Sequence, residues 1–364
     1  MKLLRLTPAL KPTSAPYNQF SLGFRETIDQ TIFSFQPLQD IEIDKKIKSI
    51  HGSGSVLSSY LILKNLARKT NFDIIHIHNG LTGILFVLAI FPFNLTLLSK
   101  CVFTLHNSWH VLKKRNQLLN FLVMMLSASV CTCGRSSFES IPKIIKFFIG
   151  KKMIPVVNGF DNLRVDNVKR KKRTKKFFCD EFALKILYVG ALNNIKNQIA
   201  LLKAAKHINK KVEIIFLGDG NKMQMLTDYA KSIPSNIEIS FKGVVSRDIA
   251  IEHMLEADLF ISLSRGEGLP IAVLEAMYAG CFLILSGIPP HLEVSPPKER
   301  CIFVELSDQK QIIKSINYVI NCLNKVRGER DISKEHSLTN FSVNKMLEEY
   351  KEVYNSLYNV TNKI

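Results

Sequence analysis

The chain has 364 residues, 46% hydrophobic and 22% charged, which excludes wholesale disorder and is more than one ordinary domain needs. Its 49 Lys+Arg against 31 Asp+Glu give a net charge of +18. Residues 1–176 hold 27 basic and 9 acidic side chains, whereas residues 177–364 balance, so the whole excess lies in the first half. Such a field attracts nucleic acid, an acidic membrane surface or phosphorylated substrates, and composition does not choose among them.

In chain order, Met1–Pro8 holds too few apolar residues for a signal peptide and reads as a first strand, Leu3–Leu6. Further β-rich apolar runs follow at Ile74–His78, Cys101–Leu105, Ala128–Cys133, Ile154–Val157, Ile186–Val189, Glu213–Leu217, Ile237–Lys242, Leu259–Leu263 and Phe282–Leu285. Helical patterns lie between most of them, and that alternation predicts parallel sheets covered on both faces. Residues 79–99 carry no charge and approach the roughly 20 apolar residues of a membrane span, but Pro92 and Asn94 break the run. A buried helix followed by a strand is expected there.

Turn chemistry at Val157–Asp161 closes the first block, and the basic run Lys169–Lys176 reads as a solvated linker. The pattern therefore predicts two doubly wound α/β domains: 1–165, then 181–340, joined by a basic linker at 166–180. Residues 341–364 form a C-terminal helix, with Met346, Leu347, Tyr350, Val353, Tyr354 and Leu357 on one stripe that can pack back on the first domain. The seven cysteines show no CxxC pair and several sit in apolar runs, as buried free thiols of a reducing cytoplasm do.

The segment richest in chemistry is 264–280, where a loop with Gly266 and Gly268 leads from the strand Leu259–Leu263 into a helix. Pro270 suits the first helical turn and Gly280 the position past the helix end. Free backbone N–H groups and the helix dipole at such a loop suit a phosphate, at the strand ends where open α/β sheets bind ligands. Glu267 lies in the loop and Glu275 two turns on among apolar neighbours, where a buried carboxylate needs a partner such as a sugar hydroxyl.

Residues 267–277, EGLPIAVLEAM, followed by AGCFLILSGIPPHLE at 279–293, resemble the signature of the retaining glycosyltransferases of family 4, which have the GT-B fold. Other segments match in order: FDIIHIH at 72–78, TLHN at 104–107, VNGFD at 157–161, YVGALNNIKN at 188–197, LGDG at 217–220 and FKGV at 241–244. The resemblance covers roughly residues 70–360. It implies two Rossmann-like domains facing across a cleft, the first binding the acceptor and the second the nucleotide-sugar. It assigns Lys196 to the donor diphosphate, Glu275 to the ribose, and Glu267 with the following backbone, Gly268 and Leu269, to the transferred sugar. Gly243 and Val244 would line the base pocket, Gly190 and Gly218 would allow close backbone approach, and His106 of the first domain would face the reacting sugar.

The implied reaction moves a sugar from a UDP- or GDP-sugar to a glycan or lipid-linked acceptor with retention, the leaving phosphate taking the acceptor's proton, as in bacterial surface polysaccharide or lipopolysaccharide synthesis. No metal and no cofactor is implied. The sequence departs from the family pattern at Ala191, where a donor-loop arginine is usual, and at Pro270; Arg265 or Arg135 are candidate substitutes for that cation. The loop 11–19, with Tyr17 and Asn18, replaces the usual Gly-Gly and would lie on the acceptor side.

His76 and His78 alternate on one strand beside His106, but no carboxylate or thiolate has matching spacing, so a core role for His76 is expected and a metal site is not. His291 is either near the donor or a structural loop residue. Val111–Arg115 and Pro142–Lys152 mix basic and apolar residues, which suits the anionic inner face of the cytoplasmic membrane. Two other classes remain open at this point. A GT-B sugar-nucleotide epimerase or hydrolase would release free sugar without transfer. A basic nucleic-acid-binding protein would need a recognition motif, and the chain has none.

Overall fold

The computed structural model describes residues 1–39, 41–172 and 184–361. The chain divides into two units, Met1–Gly159 with Val343–Ile364, and Phe160–Ser342. Each is built on one parallel sheet.

In the first unit the strands are β1 (Lys2–Thr7), β2 (Asp29–Ser34), β3 (Ile47–His51), β4 (Ile74–Ile77), β5 (Cys101–Leu105), β6 (Ser129–Thr132) and β7 (Met153–Pro155), in the order β3-β2-β1-β4-β5-β6-β7. Right-handed crossovers set the layers. The connections from β3 onward all step one way, so the helices Val56–Lys69, Gly80–Ile90, Lys114–Leu126 and Lys143–Ile149 share one face, over Leu4, Leu6, Ile75, Ile77 and Phe103. The step from β1 to β2 goes the other way and puts the π-helical turn Pro16–Ser21 on the opposite face. There it packs with the C-terminal helix Val343–Thr361, whose Met346, Tyr350, Val353 and Tyr354 are buried against Leu3, Phe20, Ile74 and Val102.

In the second unit β8 (Leu184–Val189), β9 (Val212–Leu217), β10 (Ile237–Phe241), β11 (Leu259–Ser262), β12 (Phe282–Ser286) and β13 (Cys301–Val304) run in the order β10-β9-β8-β11-β12-β13. Its central strands are buried on both faces, as near-continuous apolar runs dictate. Strand order reverses between β8 and β11, and in the first unit between β1 and β4. These are the points at which the loops leaving the strands' carboxyl ends part and open a crevice.

Some local expectations change. The apolar run 79–99 yields the helix Gly80–Ile90, capped by the Asn79 side chain on the Leu81 N–H at 2.9 Å. The remainder is a turn and the 3₁₀ helix Leu95–Lys100, with no strand before β5, because Pro92 and Asn94 interrupt the ladder. Three strands are added to those expected: β2, which begins Asp-Gln-Thr, and the edge strand β3 carry no strong apolar run, whereas the edge strand β13 is a short apolar run, Cys-Ile-Phe-Val, that the expectation left out. The basic run begins inside the helix Asn162–Lys172, which belongs to the second unit, and residues 173–180 of the expected linker lie outside the described residues, as does Cys179. The other six cysteines are free, five of them buried. No helix of the described residues is long and apolar enough to cross a membrane.

Candidate active site

The second unit's switch point is assembled from glycine. Gly218, at φ +134°, ends β9 with its N–H donating 2.7 Å to the Gly243 carbonyl, and a Cβ on it would run into the Gly190 carbonyl oxygen. Gly190 (φ +151°) and Gly243 (φ +67°) also sit in the left-handed half of the map, which only glycine enters at little cost. The loops after β8, β9 and β10 thus lie backbone against backbone. Val244, beside them, is exposed.

The loop after β8 turns on Asn193, whose Oδ1 accepts from the N–H groups of Ile195 and Lys196 at 3.0 and 2.9 Å. It is tied to the loop after β11 three times. Arg265 N–H donates to the Ile195 carbonyl at 2.7 Å, Asn197 Nδ2 to the Leu263 carbonyl at 3.1 Å, and the Tyr188 hydroxyl bridges the Leu263 N–H and the Lys196 carbonyl. Lys196 and Glu267, 71 residues apart, consequently meet with Nζ 2.5 Å from Oε1. Burial pushes the Glu267 carboxyl up, but the Lys196 charge and hydrogen bonds outweigh it and hold the group below its ordinary range.

The helix Ile271–Ala279 starts from Pro270 at its N-cap, one residue before the first-turn position expected, and stops at Gly280 in the left-handed conformation. Gly268 and Leu269 lead into it, both buried. Glu275, on its second turn, is 3% exposed and its Oε1 accepts from Arg247 Nε at 2.7 Å. Burial raises the Glu275 proton affinity against the opposing pull of Arg247 and Arg164. Arg247 opens the helix Arg247–Glu256, capped by the Ser246 side chain. Nothing in its sequence context marks it, and Tyr188, though it opens the segment 188–197, shows its bridging role only through its partners.

His291 is fully buried. Its Nδ1 lies 3.0 Å from the Ser286 carbonyl, which only accepts, so Nδ1 carries the proton and Nε2 faces the Ser262 hydroxyl at 3.3 Å. Burial lowers its pKa to about 4, so it is a neutral ring bracing the strand ends. Arg265 is exposed and reaches Asn197 Oδ1 at 3.4 Å. It borders a cavity of about 320 Å³ lined also by Asn193, Asn194, Gln198 and Lys222. Ala191 is exposed at the start of the same loop.

In the first unit, His78 leaves β4 and His106 leaves β5, and the two rings stack with Nδ1 of His78 2.8 Å from Nε2 of His106. Burial lowers the His106 pKa to about 4 and that of His78 well below its ordinary value, so both are neutral near pH 7. Beneath them Arg5, fully buried, donates to Gln30, to His76 Nδ1 at 2.9 Å and to the Tyr354 hydroxyl at 3.2 Å. Since arginine only donates, His76 Nδ1 accepts and its Nε2–H donates to Thr104 at 2.7 Å. His76 is thus a satisfied core residue. Among the described residues no group of three His, Cys, Asp or Glu is placed to hold a metal ion. Tyr17 and Asn18 are buried: the Tyr17 hydroxyl donates to the Glu42 carbonyl at 3.1 Å and accepts from Asp44 N–H, and Asn18 donates to the carbonyls of Pro12 and Ser14. Both side chains brace the loop they belong to.

Comparison with known proteins gives the site a context. The family model "Glycosyl transferases group 1" matches residues 169–332. The capsular polysaccharide biosynthesis glycosyltransferase CapH of Staphylococcus aureus is 25% identical over 306 residues, 80% of this chain and 79% of that protein. The Escherichia coli UDP-Gal:alpha-D-GlcNAc-diphosphoundecaprenol alpha-1,3-galactosyltransferase is 24% identical over 334 residues, 85% of this chain and 81% of that protein. Anabaena HepE, solved with UDP and glucose, superposes with a TM-score of 0.74 at 15% identity, covering 98% of this chain and all of that one (100%). The sucrose-phosphate synthase of Thermosynechococcus elongatus gives 0.76 at 14% identity over 99% of this chain and 100% of that one. The two parallel-sheet units share the GT-B fold of these structures.

Proposed function

From its similarity to the family 4-like glycosyltransferases, we propose that the chain moves a sugar from a nucleotide diphosphate-sugar to a glycan or lipid-linked acceptor with retention at the anomeric carbon. The observation that carries this reading is the Lys196–Glu267 pair at the switch point between β8 and β11. A diphosphate bears more negative charge than one carboxylate, so a donor seated there takes the Lys196 ammonium, and Glu267 is left to accept hydrogen bonds from sugar hydroxyls. Lys196 then stabilises the charge that develops on the leaving diphosphate. The bond from the anomeric carbon to the phosphate oxygen breaks, that carbon bonds the acceptor oxygen on the same face, and the acceptor's proton passes to the departing phosphate. Lys196 supplies the positive charge, so the reading needs no metal and no cofactor.

Glu275, held by Arg247, binds the ribose, with Gly190, Gly218, Gly243 and Val244 along the nucleotide and Gly268 and Leu269 against the sugar. His106, neutral and held by His78 in the first unit, keeps its other ring nitrogen as a hydrogen-bonding group, the role that the family resemblance assigns it. UDP is favoured over GDP as the nucleotide because HepE was solved with UDP and the E. coli relative uses UDP-Gal. CapH and the diphosphoundecaprenol-dependent enzyme support a place in bacterial surface polysaccharide or lipid-linked glycan synthesis, lipopolysaccharide included. A lipid-linked acceptor and the basic, apolar stretches 111–115 and 142–152 favour an enzyme peripheral on the cytoplasmic face of an anionic membrane.

The test is a thermal-shift series with UDP-, GDP- and ADP-sugars, followed by transfer to a lipid-linked glycan acceptor and determination of the product's anomeric configuration by NMR. A UDP-sugar that raises the melting temperature and an α-linked product from an α-linked donor are expected. An inverted product, or no response to any nucleotide-sugar, overturns the reading.

A further inference from the structure

The four helices over one face of the first unit's sheet bury their inner sides, yet their outer side is also apolar. On Lys114–Leu126 the positions Leu118, Leu122 and Met125, one helical stripe, point to solvent, opposite the buried Val123 and Met124. On Lys143–Ile149 Phe147 is 78% exposed and Phe148 55%, and the turn after Gly80–Ile90 presents Phe93 at 72%. Gly80–Ile90 packs against Lys114–Leu126 and that helix against Lys143–Ile149, where Phe121 meets the Phe148 ring at 6.4 Å, so these apolar positions lie on adjoining helices of one layer. Monomeric proteins rarely expose apolar area on this scale without a partner.

Charge selects the partner. Residues 55–155, which supply this layer, hold 12 Lys+Arg and 2 Asp+Glu. Lys113, Lys114, Arg115, Lys143 and Lys151, at the ends of the two helices, are all exposed. Lysine is depleted in protein–protein interfaces. An anionic lipid surface accommodates both components, with phenylalanine and leucine at the acyl boundary and lysine stems reaching up to phosphate. The opposite face of the same sheet is closed by the C-terminal helix, so only this layer has an open apolar side.

We propose that the outer side of the helices Lys114–Leu126 and Lys143–Ile149, with the Phe91–Phe93 turn, is the surface by which the protein docks on an anionic phospholipid bilayer. This rests on the membrane-surface reading above and locates it on named residues.

The experiment is co-sedimentation of the full chain with phosphatidylcholine vesicles, with and without phosphatidylglycerol, at low and high salt. Three forms are compared: wild type, Phe147→Glu/Phe148→Glu and Lys143→Glu/Lys151→Glu. All four side chains are exposed, so both variants keep the wild-type melting temperature and the wild-type UDP-sugar response. The wild type should pellet with phosphatidylglycerol vesicles in a salt-sensitive way. The aromatic variant should lose about tenfold or more of its partitioning, and the lysine variant should lose most of its dependence on anionic lipid. A wild type that stays in the supernatant overturns the membrane reading itself. A wild type that pellets while both variants pellet equally overturns this surface and leaves that reading standing. A wild-type dimer in light scattering that the aromatic variant dissociates, without vesicle binding, assigns the surface to a second copy and also overturns the proposal.

Discussion

Arg247 and Glu275 form an ion pair with little of either side chain exposed, 11% of Arg247 and 3% of Glu275, Nη2 lying 2.5 Å from Oε1. Arg247 begins one helix and Glu275 sits on the second turn of another, so the pair fixes the carboxyl at the mouth of the sheet, and the Arg247 charge opposes the rise in proton affinity that burial causes. Arg247→Ala leaves a buried acid without its cation and should cost about 3–5 kcal/mol of stability near neutral pH. The signs of its two pH dependences differ. The folded-state pKa of Glu275 already lies above its ordinary value, so its ionisation opposes folding as pH rises through that window. The variant, with the pull of Arg247 gone, should therefore lose least stability at acid pH. Its UDP-sugar affinity should instead be worst there, where the carboxyl is protonated and accepts from the ribose more weakly than the carboxylate does. Arg247→Lys should recover part of both. Urea titrations and calorimetric Kd values across pH check this, and a pH-independent affinity defect would contradict it.

Lys196→Ala should lower kcat by about 10²–10³, the usual effect of removing one donor from a developing anion. Glu267→Gln should do less to nucleotide binding than to transfer if, as proposed, its hydrogen bonds in the donor complex are to the sugar. Steady-state kinetics with circular dichroism as a folding control separate the two.

His106 is held near a pKa of about 4 by burial and is neutral over the physiological range. The kcat/KM profile should show no limb near pH 6.5, where an ordinary histidine titrates. His78→Phe removes the ring that orients His106 and should lower kcat without introducing a pH limb. A limb near 6.5 that vanishes in His106→Gln would assign the histidine a proton-transfer role instead.

Gly218→Ala forces a side chain into φ +134° and against the Gly190 carbonyl. It should cost more than about 1 kcal/mol. It should also weaken nucleotide binding, since the two loops part there. Differential scanning calorimetry and a UDP titration provide the measurement.

Tyr354→Phe takes one hydroxyl from the C-terminal helix and leaves Arg5 and His76 each short of a partner. The expected loss is about 1–3 kcal/mol in urea unfolding. A change within a few tenths would mean the helix is held by packing alone.

The sequence alone determined much of this protein. Apolar runs at regular spacing predict parallel sheets, the glycines at 190, 218 and 243 mark backbone that must turn sharply, and EGLPIAVLEAM places two glutamates on a loop and its helix. These features are local, so period and residue type encode them directly. The polar strands β2 and β3 were not legible, because they take their place from pairing with a neighbour and not from an apolar pattern of their own.

The tertiary structure alone decided the contacts that give the site its electrostatics. Arg247 with Glu275, Tyr188 with Lys196 and His78 with His106 are brought together by strand order and by the loops that the order aligns, and no spacing along the chain announces such a meeting. It also decided which apolar side chains face water. Leu118 and Leu122 look like core in sequence, since Lys114–Leu126 is apolar around most of its circumference, and only the position of the sheet beneath it separates the buried side from the exposed one.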